Sequence, residues 1–310
     1  MRRRRKYDFY LVVFLTILTV GYFTYNHMSA ESRGVENYSE ALEAYKSSDY
    51  EKAYEEFAKV PSGSTLKPSA LFRQARCATN MDKKELAIKK YNRIVHSSVK
   101  SSIAPISEYN MANLMFEIQD KGAKKHFKKI IKKYPTSDYA VASNYYLGLI
   151  EVSNPPKSER GLKKSKNRAF IYFKNYLEEA PDGRFALKTI DEIKKLGVQL
   201  TNYDNLLIAK SYYANGEYTK AKDYLNKTTL AESWSDFAKN EYKLGNKEKA
   251  NYYAELGLKK HASNTPNADV YEVIDNYIAS FPLRRDGIIK LNSLGLNSTG
   301  ADYAAYLNCQ

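Results

Sequence analysis

From Ser32 onward, apolar residues recur three and four positions apart, and polar residues fill the gaps. That period places apolar side chains on one face of a helix, whereas a half-buried strand alternates every second residue. Strand-like alternation is nearly absent here, and glycine and proline fall between the periodic stretches. The pattern predicts an all-α chain, helix after helix. Ahead of Ser32 the pattern changes: Phe9 to Tyr25 (FYLVVFLTILTVGYFTY) carries no charge, and Arg2 to Lys6 precede it.

A helix of that apolar stretch rises about 25 Å, the short end of what crosses a bilayer core. Tyr10 at one end and Tyr22, Phe23 and Tyr25 at the other suit the two membrane interfaces. The basic cluster should stay in the cytoplasm, which puts the body of the chain on the far side of a cytoplasmic (inner) membrane. The competing reading is a cleaved signal peptide. It wants small residues at the cleavage site, but bulky Met28 stands two before Ala30 and three rings stand just ahead. The expected organisation is therefore a basic tail (1–8), a transmembrane anchor (9–25), a linker (26–36), helical repeats (37–260) and further helices (261–310), among them 270–280, 285–293 and 301–308.

Within the helical stretches one unit recurs: a small residue on a first helix, a short turn, an alanine on a second helix, and in most copies a large residue four positions on. That spacing aligns the alanine and the large residue on one helix face, where the small alanine lets the first helix approach closely. The pairs are Ala53 with Phe57, Ala87 with Tyr91, Ala123 with Phe127, Ala169 with Phe173, Ala221 with Leu225, and Ala250 with Ala254, the weakest. Pro135 and Pro181 each fall twelve residues after their alanine, where the second helix should end.

These residues resemble the tetratricopeptide repeat family, whose unit is about 34 residues of helix–turn–helix. Ala53 and Ala87 are 34 residues apart, and Ala87 and Ala123 are 36. Leu147-Gly148 looks like the family's Leu-Gly pair. Ala75, Ala112, Ala209 and Ala238 take the small first-helix position, and Trp234 stands four before Ala238. The resemblance covers roughly Asn37 to Lys260 and implies a right-handed superhelical stack of helical pairs. It departs where Ala123 to Ala169 spans 46 residues, which suggests an inserted loop around Asn154 to Lys166. Ala169 to Ala221 spans 52, which calls for an extra helix at about Arg184 to Leu196, and Ala221 to Ala250 spans only 29. A plain helical bundle is the simpler alternative.

In that family, partner peptides lie in a groove lined by first helices. The resemblance implies that Phe72, Arg76, Tyr145, Lys210, Tyr213, Lys239, Tyr242 and Lys243 face it, a set of rings and cations suited to peptide recognition. The plainer reading of the same residues is ordinary repeat surface.

Charge adds a second feature. The chain of 310 residues has a net charge of +14, and Arg2 to Lys6 supply five of those charges. Lys121, Lys124, Lys125, Lys128, Lys129, Lys132 and Lys133 fall on one half of a helix, with Phe127, Ile130, Ile131 and Tyr134 on the other. Such a stripe suits anionic lipid or a cell-wall polymer. Nucleic acid would require a topology opposed by the arginine block. A solvated outer face explains the stripe equally simply. Lys157, Arg160, Lys163, Lys164, Lys166 and Arg168 add basic charge in the inserted stretch.

Candidate chemistry is sparse. No glycine-rich phosphate loop is present. His27, His96, His126 and His261 are scattered without a second ligand at metal spacing, and Cys77 and Cys309 do not form a metal-spaced pair or a disulfide framework. Glu232-Ser233 resembles the start of the lytic transglycosylase motif, but the family's following segment is missing, so Glu232 reads as a helix-start residue. Soluble lytic transglycosylases do carry a helical superhelix ahead of their catalytic domain, and the chain has a weaker likeness to that region. The expectation is a non-enzymatic, cofactor-free, membrane-anchored scaffold for protein partners in the cell envelope. The alternative is the non-catalytic helical arm of a cell-wall enzyme.

Overall fold

The structure, a computed structural model, describes residues 2–97, 102–229, 233–250, 252, 253 and 256. Every element among them is a helix: α1 (Arg2–Lys46), α2 (Tyr50–Lys59), α3 (Lys67–Asn80), α4 (Lys84–Val95), α5 (Ala104–Glu117), α6 (Ala123–Lys133), α7 (Asp138–Ser153), α8 (Glu159–Glu179), α9 (Ala186–Leu196), α10 (Asn202–Ala214), α11 (Tyr218–Leu225) and α12 (Trp234–Lys243). The helices expected at 270–280, 285–293 and 301–308 lie outside the described residues, as do Glu232, Ala254, His261 and Cys309. The chain divides into two compact units, Met1–Ile150 and Glu151–Gln310.

The alanine unit is what holds the pairs together. Ala53, Ala87, Ala169, Ala221 and Ala250 are fully buried, and Ala123 is nearly so. Phe57, Phe127 and Phe173 are completely enclosed, with Tyr91 and Leu225 close behind. The first-helix residues Ala75, Ala112, Ala209 and Ala238 are buried to the same degree. Each burial of such a ring stabilises the unit by about 2–3 kcal/mol. In the first unit α1 packs on α2, α2 on α3, α3 on α4, α4 on α5 and α5 on α6. In the second, α8 packs on α9 and α10, and α10 on α11. Helices α6 and α8 end at Lys133 and Glu179, just ahead of Pro135 and Pro181.

The turn between first and second helices repeats with the same hydrogen bonds. Ser48, Asp82, Gln119, Gly216 and Gly245 all adopt positive φ, between 55° and 81°. In each case that residue's N–H donates to the carbonyl three back, and the next N–H donates to the carbonyl five back. The latter bonds are Asp49 to Ala44, Lys83 to Ala78, Asp120 to Met115, Glu217 to Tyr212 and Asn246 to Glu241, at 2.7–3.0 Å. This left-handed cap satisfies the orphan carbonyls at the helix end and reverses the chain.

Two expected features turn out differently, and a third is not shown among the described residues. Residues 26–36, expected as a linker, are helical and continuous with the first repeat helix in α1. The stretch lacks proline, and its domain-side end is docked. Ala30 is the first buried residue, Glu31 accepts from the Thr65 N–H at 2.8 Å and from the Thr65 hydroxyl, and Asn37 Nδ2 donates to the Lys59 carbonyl at 3.1 Å. The Gly34 backbone lies against Ser64, so close that an added Cβ would collide with the serine side chain. Next, the inserted loop expected over Asn154 to Lys166 is mostly helix. Ser158 caps α8 through the Gly161 N–H, and the lysine- and arginine-rich run that follows is made of good helix formers. The extra helix expected near Arg184 to Leu196 is α9, closed by Gly197 at φ 63°. Lastly, among the described residues no helix is long and apolar enough to cross a membrane. The expected anchor begins ahead of the residues whose side chains are described, which start at Val13.

Candidate partner-binding surfaces

The expected groove residues of the first unit have unequal settings. Phe72 on α3 is half-buried and meets Tyr91 of α4 edge-on at 5.6 Å, so it serves the helix pair. Tyr145 on α7 is buried and packs against Tyr146 at 5.4 Å. Arg76 is exposed, and its guanidinium lies 5.8 Å from the Tyr45 ring of α1. Arg73, which sequence reasoning missed, covers the same ring at 5.4 Å. Two cations over one ring from the neighbouring first helix make a planar, positive surface. The signal was the three-residue spacing of two arginines on one helix face.

In the second unit the structure gathers three of the expected residues around one carboxylate. Lys210 of α10 faces Asp236 of α12 at 3.6 Å. Burial pushes the Asp236 carboxyl above its usual range, against the pull of Lys210 and Lys239. Tyr213 lies 5.3 Å from Tyr218, and burial raises its hydroxyl, with Tyr218 and Asp236 adding to the shift. Lys210 is exposed and Tyr213, Asp236 and Lys239 are half-buried; the cluster carries one more cation than anion and offers rings beside them, a composition able to hold an anionic or aromatic peptide group. Tyr242 is half-buried and its carbonyl caps Gly245, while Lys243 is exposed. Asp236 was the missed member.

Helix α6 holds six of the seven expected stripe lysines, and Lys121 stands in the turn ahead of it: Phe127 and Ile130 are buried, Ile131 and Tyr134 half-buried, and Lys121, Lys125, Lys128, Lys132 and Lys133 exposed, with Lys124 half-buried. The seven are not equivalent. Lys129 Nζ lies 2.7 Å from the fully buried Glu108 carboxylate of α5, which His126 also approaches at 3.2 Å. Burial would raise the Glu108 carboxyl, but the contacts with His126 and Lys129 hold it below its ordinary range. Lys133 sits 5.1 Å from the Tyr134 ring, and that contact raises its ammonium.

The second unit repeats this buried pairing. Glu151 receives Arg168 at 2.8 Å, Asp204 receives Lys174 at 2.9 Å, and Glu241 receives Lys222 at 2.7 Å. For Asp204 and Glu241, burial alone would raise the carboxyl. Thr201 and Lys174 pull Asp204 below its usual value, as Lys222 and Asn246 do for Glu241. These pairs join neighbouring helices and belong to the architecture. The other described histidines, His27 and His96, stand apart, and no group of three His, Cys, Asp or Glu able to hold a metal occurs among the described residues. Cys77 is enclosed in the core of α1, α2 and α3, and burial pushes its thiol up to about 11.

The tetratricopeptide repeat model matches residues 69–100, 107–137 and 205–229, the stretches that hold α3–α4, α5–α6 and α10–α11. Those three stretches are therefore similar to tetratricopeptide repeats, and the α1–α2 and α12 turns have the same left-handed geometry as those within the matched stretches. No curated protein matches the sequence. Among solved structures, a tetratricopeptide repeat protein from Parabacteroides merdae is 16% identical, with 80% of this chain and 99% of that chain covered and a TM-score of 0.44. The TPR2AB domain of yeast Sti1 in its pHSP90 complex is 15% identical over 80% and 98% of the two chains, with a TM-score of 0.35. The C-terminal part of a TPR repeat-containing protein from Cytophaga hutchinsonii is 17% identical over 82% and 99%, also at 0.35.

Proposed function

We propose that this chain is a membrane-tethered scaffold that holds protein partners in the cell envelope, with its repeats on the extracytoplasmic side. The observation that carries the binding reading is the Lys210–Asp236–Lys239 cluster beside Tyr213, formed by α10, the first helix of a stretch that matches the repeat model, and the neighbouring α12. A partly buried carboxylate that meets cations and a ring is a candidate recognition site. The tether rests on the first half of α1. Val13, Phe14, Leu15, Ile17, Leu18, Val20, Tyr22 and Phe23 are all exposed, and burial begins only at Ala30. An exposed apolar rod of that kind needs a nonpolar surrounding, and the arginines before it set the direction.

Affinity capture from detergent-solubilised membranes tests the binding reading. The wild-type chain should retain a defined set of proteins that the Lys210→Glu, Tyr213→Ala double variant loses. An identical set from both sinks the site. For the tether, alkaline extraction should leave the chain in the membrane pellet. A cysteine at exposed Lys164, with Cys309→Ser, should react with an impermeant maleimide added outside. Cys77 is too buried to report. Labelling only after lysis overturns the orientation.

A further inference from the structure

A groove of about 600 Å³ lies on α8, away from the first-helix residues already described. One wall is the helix itself. Leu162, Lys166 and Phe170 are spaced four apart, as are Lys163, Asn167 and Ile171, so two adjoining rows face the same way. The other wall is Leu196 to Gln199, where Gly197 turns the chain out of α9. Lys166 ties the walls by donating from Nζ to the Leu196 carbonyl at 3.1 Å.

Three features say what the groove takes. It leaves large apolar side chains in water: Ile171 is 55% exposed and Leu162 37%, beside half-buried Phe170 and Val198. Its charge is one-sided, since Lys163 and Lys166 face a single Glu159, and exposed Arg160 and Lys164 flank them on α8. Finally, the segment between α9 and α10 belongs to no helix, and the backbones of Val198 and Gln199 make no hydrogen bond among the described residues. Main-chain groups without partners beside an apolar trough can pair with the main chain of a bound peptide.

We propose that this groove binds an extended segment of a partner protein, in which one bulky apolar residue is flanked by carboxylates. The apolar side chain rests on Leu162, Phe170, Ile171 and Val198. The carboxylates face Lys163 and its basic neighbours, and the segment's main chain pairs with Val198 and Gln199. The proposal rests on the scaffold reading and adds to it a second surface with its own class of ligand. That surface is built from a second helix and the extra α9 rather than from first helices.

The test is selection of a random linear-peptide library on the full chain in detergent, followed by titration of the selected peptides. The expected binders carry one aromatic or large aliphatic residue with aspartate or glutamate on both sides. Ile171→Asp, an exposed site that leaves the melting curve unchanged, should weaken them at least about tenfold. Lys163→Glu with Lys164→Glu should weaken them and flatten the salt dependence. Bound peptide should slow hydrogen exchange at Val198 and Gln199. A selection that yields no Ile171-dependent binder overturns the groove, as does a set of binders without acidic residues. Binders that depend on Lys210 and Tyr213 instead overturn the groove while leaving the scaffold reading intact. Retention on anionic phospholipid vesicles that requires Ile171 and Lys163 assigns the surface to a membrane and equally ends the proposal.

Discussion

The two units build the same helix-to-helix turn from different residues. In the first unit the left-handed position is filled by Ser48, Asp82 and Gln119, and in the second by Gly216 and Gly245. The hydrogen bonds are the same five times over. A side chain in this conformation costs about 1 kcal/mol relative to glycine. The first unit accepts that cost because the buried alanine five positions on, or four after Gln119, fixes where the second helix must start. The turn is thus imposed by packing in one unit and prepared by local chain preference in the other.

The comparison can be broken most forcefully in the cores. Phe127→Ala in the first unit and Phe173→Ala in the second should each cost about 3–5 kcal/mol, measured by denaturant unfolding, since both rings are fully enclosed. A cost below about 1 kcal/mol at either would deny that the alanine–phenylalanine pair anchors its repeat. Next comes the buried ion pairing. Lys129→Met leaves Glu108 with His126 as its remaining cation. The expected loss is about 3 kcal/mol by denaturant unfolding. A loss below about 1 kcal/mol would show that Lys129 is not needed to hold the buried carboxylate.

Gly34→Val should cost about 1–3 kcal/mol by forcing α1 off the Ser64 loop, and limited proteolysis near Ala30 should accelerate. Unchanged cleavage would mean that α1 is not docked there.

Two aspartates of the second unit should then move apart with pH. Asp204 has its carboxyl lowered in the fold, so its contribution is present above the unfolded value near 3.9 and disappears as pH falls through the folded one. Asp236 is raised, so its contribution belongs to low pH and is lost as pH rises through its folded value. Asp204→Asn should therefore cost about 1–3 kcal/mol at pH 7, while Asp236→Asn should be neutral or stabilising. Equal losses would contradict this assignment and weaken the case for Asp236 as a recognition residue.

The smallest effects sharpen the comparison itself. Gln119→Gly should stabilise by up to about 1 kcal/mol, and Gly216→Ala should destabilise by about as much. Melting temperatures of the two variants read this directly. Shifts of the same sign would mean that the two turns are not equivalent.

How much of this was legible beforehand depends on the range of the interaction involved. The helical class, the six alanine positions, the ends of α6 and α8 and the extra helix α9 all follow from periodicity, small residues and proline, which act within one or two turns of chain. Helical continuity through 26–36 was not legible, because Gly34 and the serines beside it look like a break until Ser64 and Thr65 are brought against them. The first turns of α8 were not legible either, because polarity alone does not separate a solvated helix from a loop. Among the site residues, Lys210, Tyr213 and Lys239 were named from repeat position, yet Asp236, which gathers them, is 26 residues from Lys210 and has no local mark.

By itself, then, the sequence determined that this chain would form helical pairs and which small residues would lie between them, because helix period and side-chain size are local quantities. Only the tertiary structure decided which lysines meet buried carboxylates, and where a backbone segment outside the helices meets an apolar helix face. Those outcomes depend on contacts between residues far apart in the chain, whose pairing is set by how the helices stack.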